Sequence, residues 1–173
     1  AQNLFIGLAY LYRDLALTEK GQEFLNENEL FLEWSMCGLL NLSAGFDLSI
    51  PPSEEEEEEQ KITGLDDTFE YLEHLDLISK ATKEKLNSYF TIDSQNTKSG
   101  VMSSFNAPLM IYRNQPITTA TATSDFDLRD LRKKKMTIFI GITPDKLAIA
   151  RPILNIFFSQ LLSVNTKELP QKN

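Results

Sequence analysis

Two clusters of charge hold most of the chemistry that residue type and spacing suggest in this chain. Arg129, Arg132, Lys133, Lys134 and Lys135 crowd into one short stretch. Guanidinium and ammonium groups so placed can stabilise phosphate charge, face a neighbouring protomer or meet nucleic acid. Arg151, beside Pro152 in a later apolar segment, is a further candidate for an inter-subunit or phosphate-facing contact. The second cluster is the run Glu54, Glu55, Glu56, Glu57, Glu58 and Glu59. Such a run can collect basic peptides, with steering that weakens over a Debye length of roughly 8–10 Å. Each feature also has a plainer reading. A basic cluster ending a helix complements its dipole, a glutamate run is commonly a solvated loop, and a proline bend lets a helix follow a curved sheet.

Other site chemistry finds little footing. His74 is the single histidine and Cys37 the single cysteine, so neither a zinc set nor an internal disulfide can be assembled. Cys37 reads as a small apolar core residue, which suits a reducing compartment. No nucleophile and base can be paired into a serine or cysteine triad. The chain contains no Gly-x-x-x-x-Gly-Lys-[Ser/Thr] and no apolar strand ending in Asp-Glu. It thus lacks a phosphate cradle and metal-polarising carboxylates, and no ATP hydrolysis is expected of it alone. No catalytic, metal or cofactor-binding residue is assigned. Trp34, near Phe31, belongs to the residue types that anchor interfaces and is a candidate partner-binding residue, although most aromatics in a small helical body are core.

The elements that must position these groups fall into two regions of opposite charge. Residues 1–117 carry 8 Lys plus Arg against 20 Asp plus Glu, and residues 118–173 carry 9 against 5. An acidic body repels nucleic acid phosphate and favours basic protein surfaces. The apolar segments Leu4 to Leu17 and Leu147 to Val164 are broken by Arg13, Asp14, Arg151 and Pro152. Neither is expected to span a membrane, and the first lacks the flanks of a signal peptide.

The fold expected is mainly α: a multi-helix all-alpha domain over 1–117, then a partial α/β segment over 118–173. Leu4, Phe5, Leu8, Leu11, Tyr12 and Leu15 recur at helical spacing, and Leu30, Phe31, Trp34, Leu39 and Leu40 partly do. Residues 51–63 read as a disordered acidic loop after Gly45 and the Pro51-Pro52 pair. Asp66 or Asp67 is a cap for a helix carrying Phe69, Leu72, Leu75 and Ile78. Ser79 caps the next, with Leu86, Tyr89 and Phe90 inward. Ser94 to Gly100 reads as a polar joint before a helix bent by Pro108. Thr119, Thr121 and Thr123 alternate with alanines as a short edge strand would, and Ser124 is placed to cap a helix near Asp125. A strand is expected at 137–142 and a helix at 144–164, with Thr143 as cap and Pro144 in the first position.

At these residues the sequence resembles the coupling ATPases of type IV secretion systems, the TraG/TraD type. The stretches TATSDFDLRDLRKKKMTIFIGI and ARPILNIFFSQLL carry the likeness, specific over Thr118 to Leu162. NLFIGLAYLYRD is similar to the family segment entering an all-alpha domain inserted into the motor. The acidic insert and the SDFDLRDL wording look closest to the branch serving the Cag secretion machine. The resemblance implies a RecA-like, hexameric motor using ATP and Mg in its full-length form, at the cytoplasmic face of the bacterial inner membrane. Its all-alpha domain would dock secreted effectors, adaptors or small regulators beside other secretion-machine subunits and could regulate hexamer assembly, with DNA a cargo of the family that an acidic domain does not favour. The alternative is a free-standing helical adaptor or regulator with no motor function.

Overall fold

A computed structural model describes residues 1–51 and 60–167. The chain divides into two compact units, Ala1–Ala122 and Thr123–Asn173. The first is built on helix α1 (Gln2–Ala16), whose Leu4, Leu8, Leu11 and Leu15 form an inward stripe no more than 1% exposed. With Leu40, Leu42, Leu72 and Leu86 they make the centre of the core. Each such side chain contributes about 1.5–3 kcal/mol by leaving water.

Helix α2 (Glu19–Glu27) starts at Thr18, whose hydroxyl accepts the Gly21 N–H at 3.1 Å. A Cβ on Gly21 would stand 2.4 Å from the Leu15 carbonyl oxygen, so glycine is what lets α2 fold back on the end of α1. Helix α3 (Met36–Leu42) is capped by Ser35. An antiparallel hairpin follows, β1 (Phe46–Ile50) with β2 (Gln60–Thr63), Leu48 opposite Ile62 and both buried. Thr68 of α4 (Gly64–His74) anchors it, accepting the Phe46 N–H at 2.7 Å. Helix α5 (Lys80–Phe90) packs along α1 with Leu86 and Tyr89 inward. Helix α6 (Gln95–Leu109) tightens past Pro108 into a 3-10 turn, Met110–Arg113, before α7 (Gln115–Ala122) closes the unit.

The mainly helical class stands, and several local expectations are corrected. Residues 30–34 form a loop rather than a helix, because Glu29 takes a left-handed φ of 54° and the Leu30 N–H closes back on the Leu25 carbonyl at 2.8 Å. This is the usual helix-ending motif with glutamate where glycine is common. Asp76 ends α4 the same way, leaving Leu75 outside the helix and 41% exposed. Thr63 takes the cap position of α4, and Asp67 reaches back to its N–H at 3.3 Å. Ser79 caps α5 as read, but Ser94 caps α6, so the expected polar joint lies inside a helix. Within the presumed acidic loop, residues 60–63 are a strand, since Ile62 buries against Leu48.

At the end of the first unit, residues 119–122 are helical, not an edge strand; the Thr121 hydroxyl donates to the Ile117 carbonyl at 2.8 Å. A 3-10 turn, Leu128–Arg132, capped by Asp127, replaces the helix expected from Ser124. Thr137–Ile142 is not a strand. Among the described residues no neighbour offers it a ladder, and apolar β-branched composition alone does not make one. Pro144–Lys146 is 3-10 and leads into α8 (Leu147–Asn165), which carries Pro152 internally and buries none of its residues. Despite Arg151 and Pro152, Pro144–Asn165 is long and apolar enough by length and composition to cross a membrane.

Candidate functional site

The basic cluster of the second unit is largely tied into that unit's own architecture. Asp127 accepts from Arg129 Nε at 2.8 Å and from Nη2 at 2.7 Å, and this pairing holds its carboxyl down at about 2. Arg132 Nη1 donates to the Asn165 carbonyl at 2.9 Å, satisfying the C-terminal end of α8. Asn165 answers with its amide, donating to the Leu128 carbonyl at 3.0 Å and to Leu161 at 2.8 Å. Lys134 pairs with Asp130 at 2.9 Å. Arg129 therefore braces the turn internally at Asp127, and Arg132 ties that turn to the end of α8. Lys133 is exposed in the same turn. Arg151 lies in the first turns of α8, about 21 Å along the axis from Asn165 at helical rise, and is not part of that cluster. A shallow cleft of about 670 Å³ runs between Ser124–Arg129 and Gln160 and Val164.

Among the described residues this arrangement offers no phosphate cradle, and no three His, Cys, Asp or Glu converge on a metal position. The described residues do not by themselves fit ATP and Mg.

In the first unit, Trp34 stands in the loop between α2 and α3 and is 62% exposed rather than core. One face of its indole rests on Tyr12, ring centroids 4.6 Å apart. Tyr12 itself is buried, which raises its phenol pKa, and the nearby Glu33 charge adds to the rise. Phe31 projects further, 88% exposed. The loop backbone is pinned by the Ser35 N–H to the Glu33 carbonyl at 2.9 Å and the Gly38 N–H to Ser35 Oγ at 2.9 Å. A Cβ on Gly38 would lie 1.9 Å from the Glu33 carbonyl oxygen. The Glu54–Glu59 run lies outside the described residues.

Sequence reasoning missed Asp14. It sits on the inward side of α1, 3% exposed, and its Oδ2 accepts the Ser79 N–H at 2.8 Å and the Thr82 hydroxyl at 2.5 Å. Arg13 Nη2 donates to Oδ1 at 3.0 Å. Burial pushes the Asp14 pKa up, but these bonds from Thr82, Ser79 and Arg13 outweigh it and leave the carboxyl below its ordinary value. Asp14 thus completes the Ser79 cap of α5 from another helix and ties α1 to the start of α5.

Residues 51–173, well over half the chain, match the family described as Type IV secretory system Conjugative DNA transfer. The chain belongs to this family. It is also similar to protein VirD4 of Rhizobium radiobacter, 35% identical over 65 residues that are 38% of this chain and 9% of that protein. VirD4 of Agrobacterium fabrum is 29% identical over 65 residues, 38% of this chain and 10% of the relative. The chain spans about a tenth of the length of these curated relatives. Within this conjugative-transfer family member, the matched stretch holds Arg129, Arg132, Lys133 and Arg151, whereas Asp14, Phe31 and Trp34 precede it.

Proposed function

We propose that this chain is the docking part of a type IV secretion coupling protein, at the cytoplasmic face of the bacterial inner membrane. Its task would be recruitment of secreted effector proteins, or of their adaptors, to the secretion channel. The observation that carries this reading is the first unit itself. It has its own leucine core, an excess of carboxylates, and interface-type aromatics turned to solvent on a pinned loop. Such a surface selects basic protein over nucleic acid. ATP and Mg would act in the whole hexameric motor, together with segments that supply a phosphate cradle, and binding here would bias assembly of that hexamer. The likeness to the Cag branch is part of the same proposal.

The test is capture from the source cell's cytosol by the full chain, beside a version with Glu54–Glu59 changed to glutamine, each partner identified and re-tested in purified form. Retention of an effector or adaptor by the first is expected, and its loss with the second would assign recognition to the glutamates. Recovery of no secretion component by either would overturn the docking role.

A further inference from the structure

The loop that displays Phe31 and Trp34 has the features of a prepared binding surface. Its backbone is already fixed at Leu30, Ser35 and Gly38, so little ordering entropy remains to be lost on binding. Both side chains are rigid aromatics, and Trp34 is supported from beneath by Tyr12. Charge then decides what fits above them. Between residues 19 and 33 stand Glu19, Glu23, Glu27, Glu29 and Glu33 against the single Lys20, and Lys20 is paired with Asp76 at 3.9 Å. Among the described residues, Glu27, Glu29 and Glu33 have no ion pair. A neutral apolar partner would strip water from these carboxylates without replacing it. A second copy of this acidic unit would set like charge against like.

We propose that Phe31 and Trp34, flanked in the sequence by Glu27, Glu29 and Glu33, form the docking surface for a cationic peptide segment bearing apolar side chains. The apolar groups seat on Phe31, a lysine or arginine lies over the indole of Trp34, and neighbouring cations pair with Glu29 and Glu33. The proposal rests on the docking role above and names the face and the chemistry that serve it.

Trp34 is the only tryptophan, so its emission reports occupancy directly. The probes are three synthetic peptides of equal length: lysine and leucine mixed, the same with glutamate for lysine, and lysine with serine for leucine. Titration of the full chain, by Trp34 emission and calorimetry, should show binding of the lysine–leucine peptide with a blue shift. Affinity should weaken at least about tenfold between about 50 mM and 500 mM salt. Phe31→Ala should weaken it about 10–30-fold. The double variant Glu29→Gln, Glu33→Gln should do likewise and flatten the salt dependence. Phe31 is nearly all exposed, so an unchanged melting curve will accompany its loss of binding.

Failure of the lysine–leucine peptide to bind, equal binding of either control peptide, or indifference to Phe31→Ala would each overturn the proposal. So would concentration-dependent self-association that Phe31→Ala abolishes, which would make a second copy the occupant. If the Phe31→Ala chain still captured an effector or adaptor, the docking role would stand and this surface would fall. If the peptide bound as described but no secretion component were captured, the surface would stand and the docking role would fall.

Discussion

Replacing Asp14 is the most searching perturbation of this fold, because one buried carboxylate joins two helices that are far apart in sequence. Alanine would leave the Ser79 N–H and the Thr82 hydroxyl without their carboxylate acceptor, and Arg13 without its ion pair. Hydrogen bonds to a charged group contribute about 1.5–3 kcal/mol each, and a lost helix cap costs about 0.5–2 kcal/mol. These contributions share one carboxylate and do not add in full, so the expected loss for Asp14→Ala is about 3–4 kcal/mol. For a unit of this size that lowers Tm by roughly 10–15 °C. Asp14→Asn keeps an oxygen for the Ser79 N–H but loses the charge, and should cost about 1–2 kcal/mol.

Urea unfolding followed by circular dichroism gives both numbers, and pH supplies an independent arm. The folded carboxyl titrates below its ordinary 3.8, so the unfolded chain binds its proton first as pH falls. The stability that Asp14 contributes is complete above that value and is lost as pH drops through the folded pKa. The gap between the natural chain and Asp14→Asn should be flat from about pH 7 to 5 and close below about pH 4. A loss under about 1 kcal/mol for Asp14→Ala, or a gap indifferent to pH, would refute the capping role.

Gly38→Ala should push the loop off α3, since its Cβ would fall 1.9 Å from the Glu33 carbonyl oxygen; the check is a changed Trp34 emission together with a lower Tm. Asn165→Ala removes the bonds to Leu128 and Leu161, and amide exchange in the last turn of α8 should quicken about 5–30-fold. Phosphate release from ATP by this chain alone should equal buffer, as no Gly-x-x-x-x-Gly-Lys-[Ser/Thr] is present.

What the sequence makes legible here is what local periodicity and local caps encode. The stripe of α1 and the Ser79 cap of α5 are of that kind, whereas the last α-helix begins at Leu147, after a 3-10 turn at the Pro144 where the sequence places its start. The helix end at Glu29 is not legible in this way, because a left-handed glutamate carries no compositional mark, and the aspartate at Asp76 is only a weak one. The missed hairpin did leave a trace: Phe46, Leu48 and Ile50 alternate with polar residues, but five residues beside a glutamate run are easily read as the edge of a loop. Thr119 to Ala122 shows the converse, alternating threonine and alanine that fold as helix, the Thr121 hydroxyl bonding back to the Ile117 carbonyl one turn earlier.

The candidate site divides along the same line. Trp34 could be named from its type, yet its exposure depends on α2 ending at Glu29, which turns the chain so that Leu30 and Leu32 are half-buried and Phe31 and Trp34 are not. Asp14 was visible as a charge inside an apolar stripe, three residues after Leu11 and one before Leu15. A carboxylate at such a position has to find donors from another element or leave its charge unsatisfied. That requirement announces a long-range contact without naming the partner. The basic cluster makes the same point about reach. Helix-dipole reasoning correctly expects cations at a helix C-terminus, but the terminus that Arg132 serves belongs to α8, thirty-three residues later, and not to the turn it ends. Charge type can thus be read from sequence, while the group that satisfies it is decided by topology, and perturbing Asp14 and Asn165 tests that division where the fold depends on it.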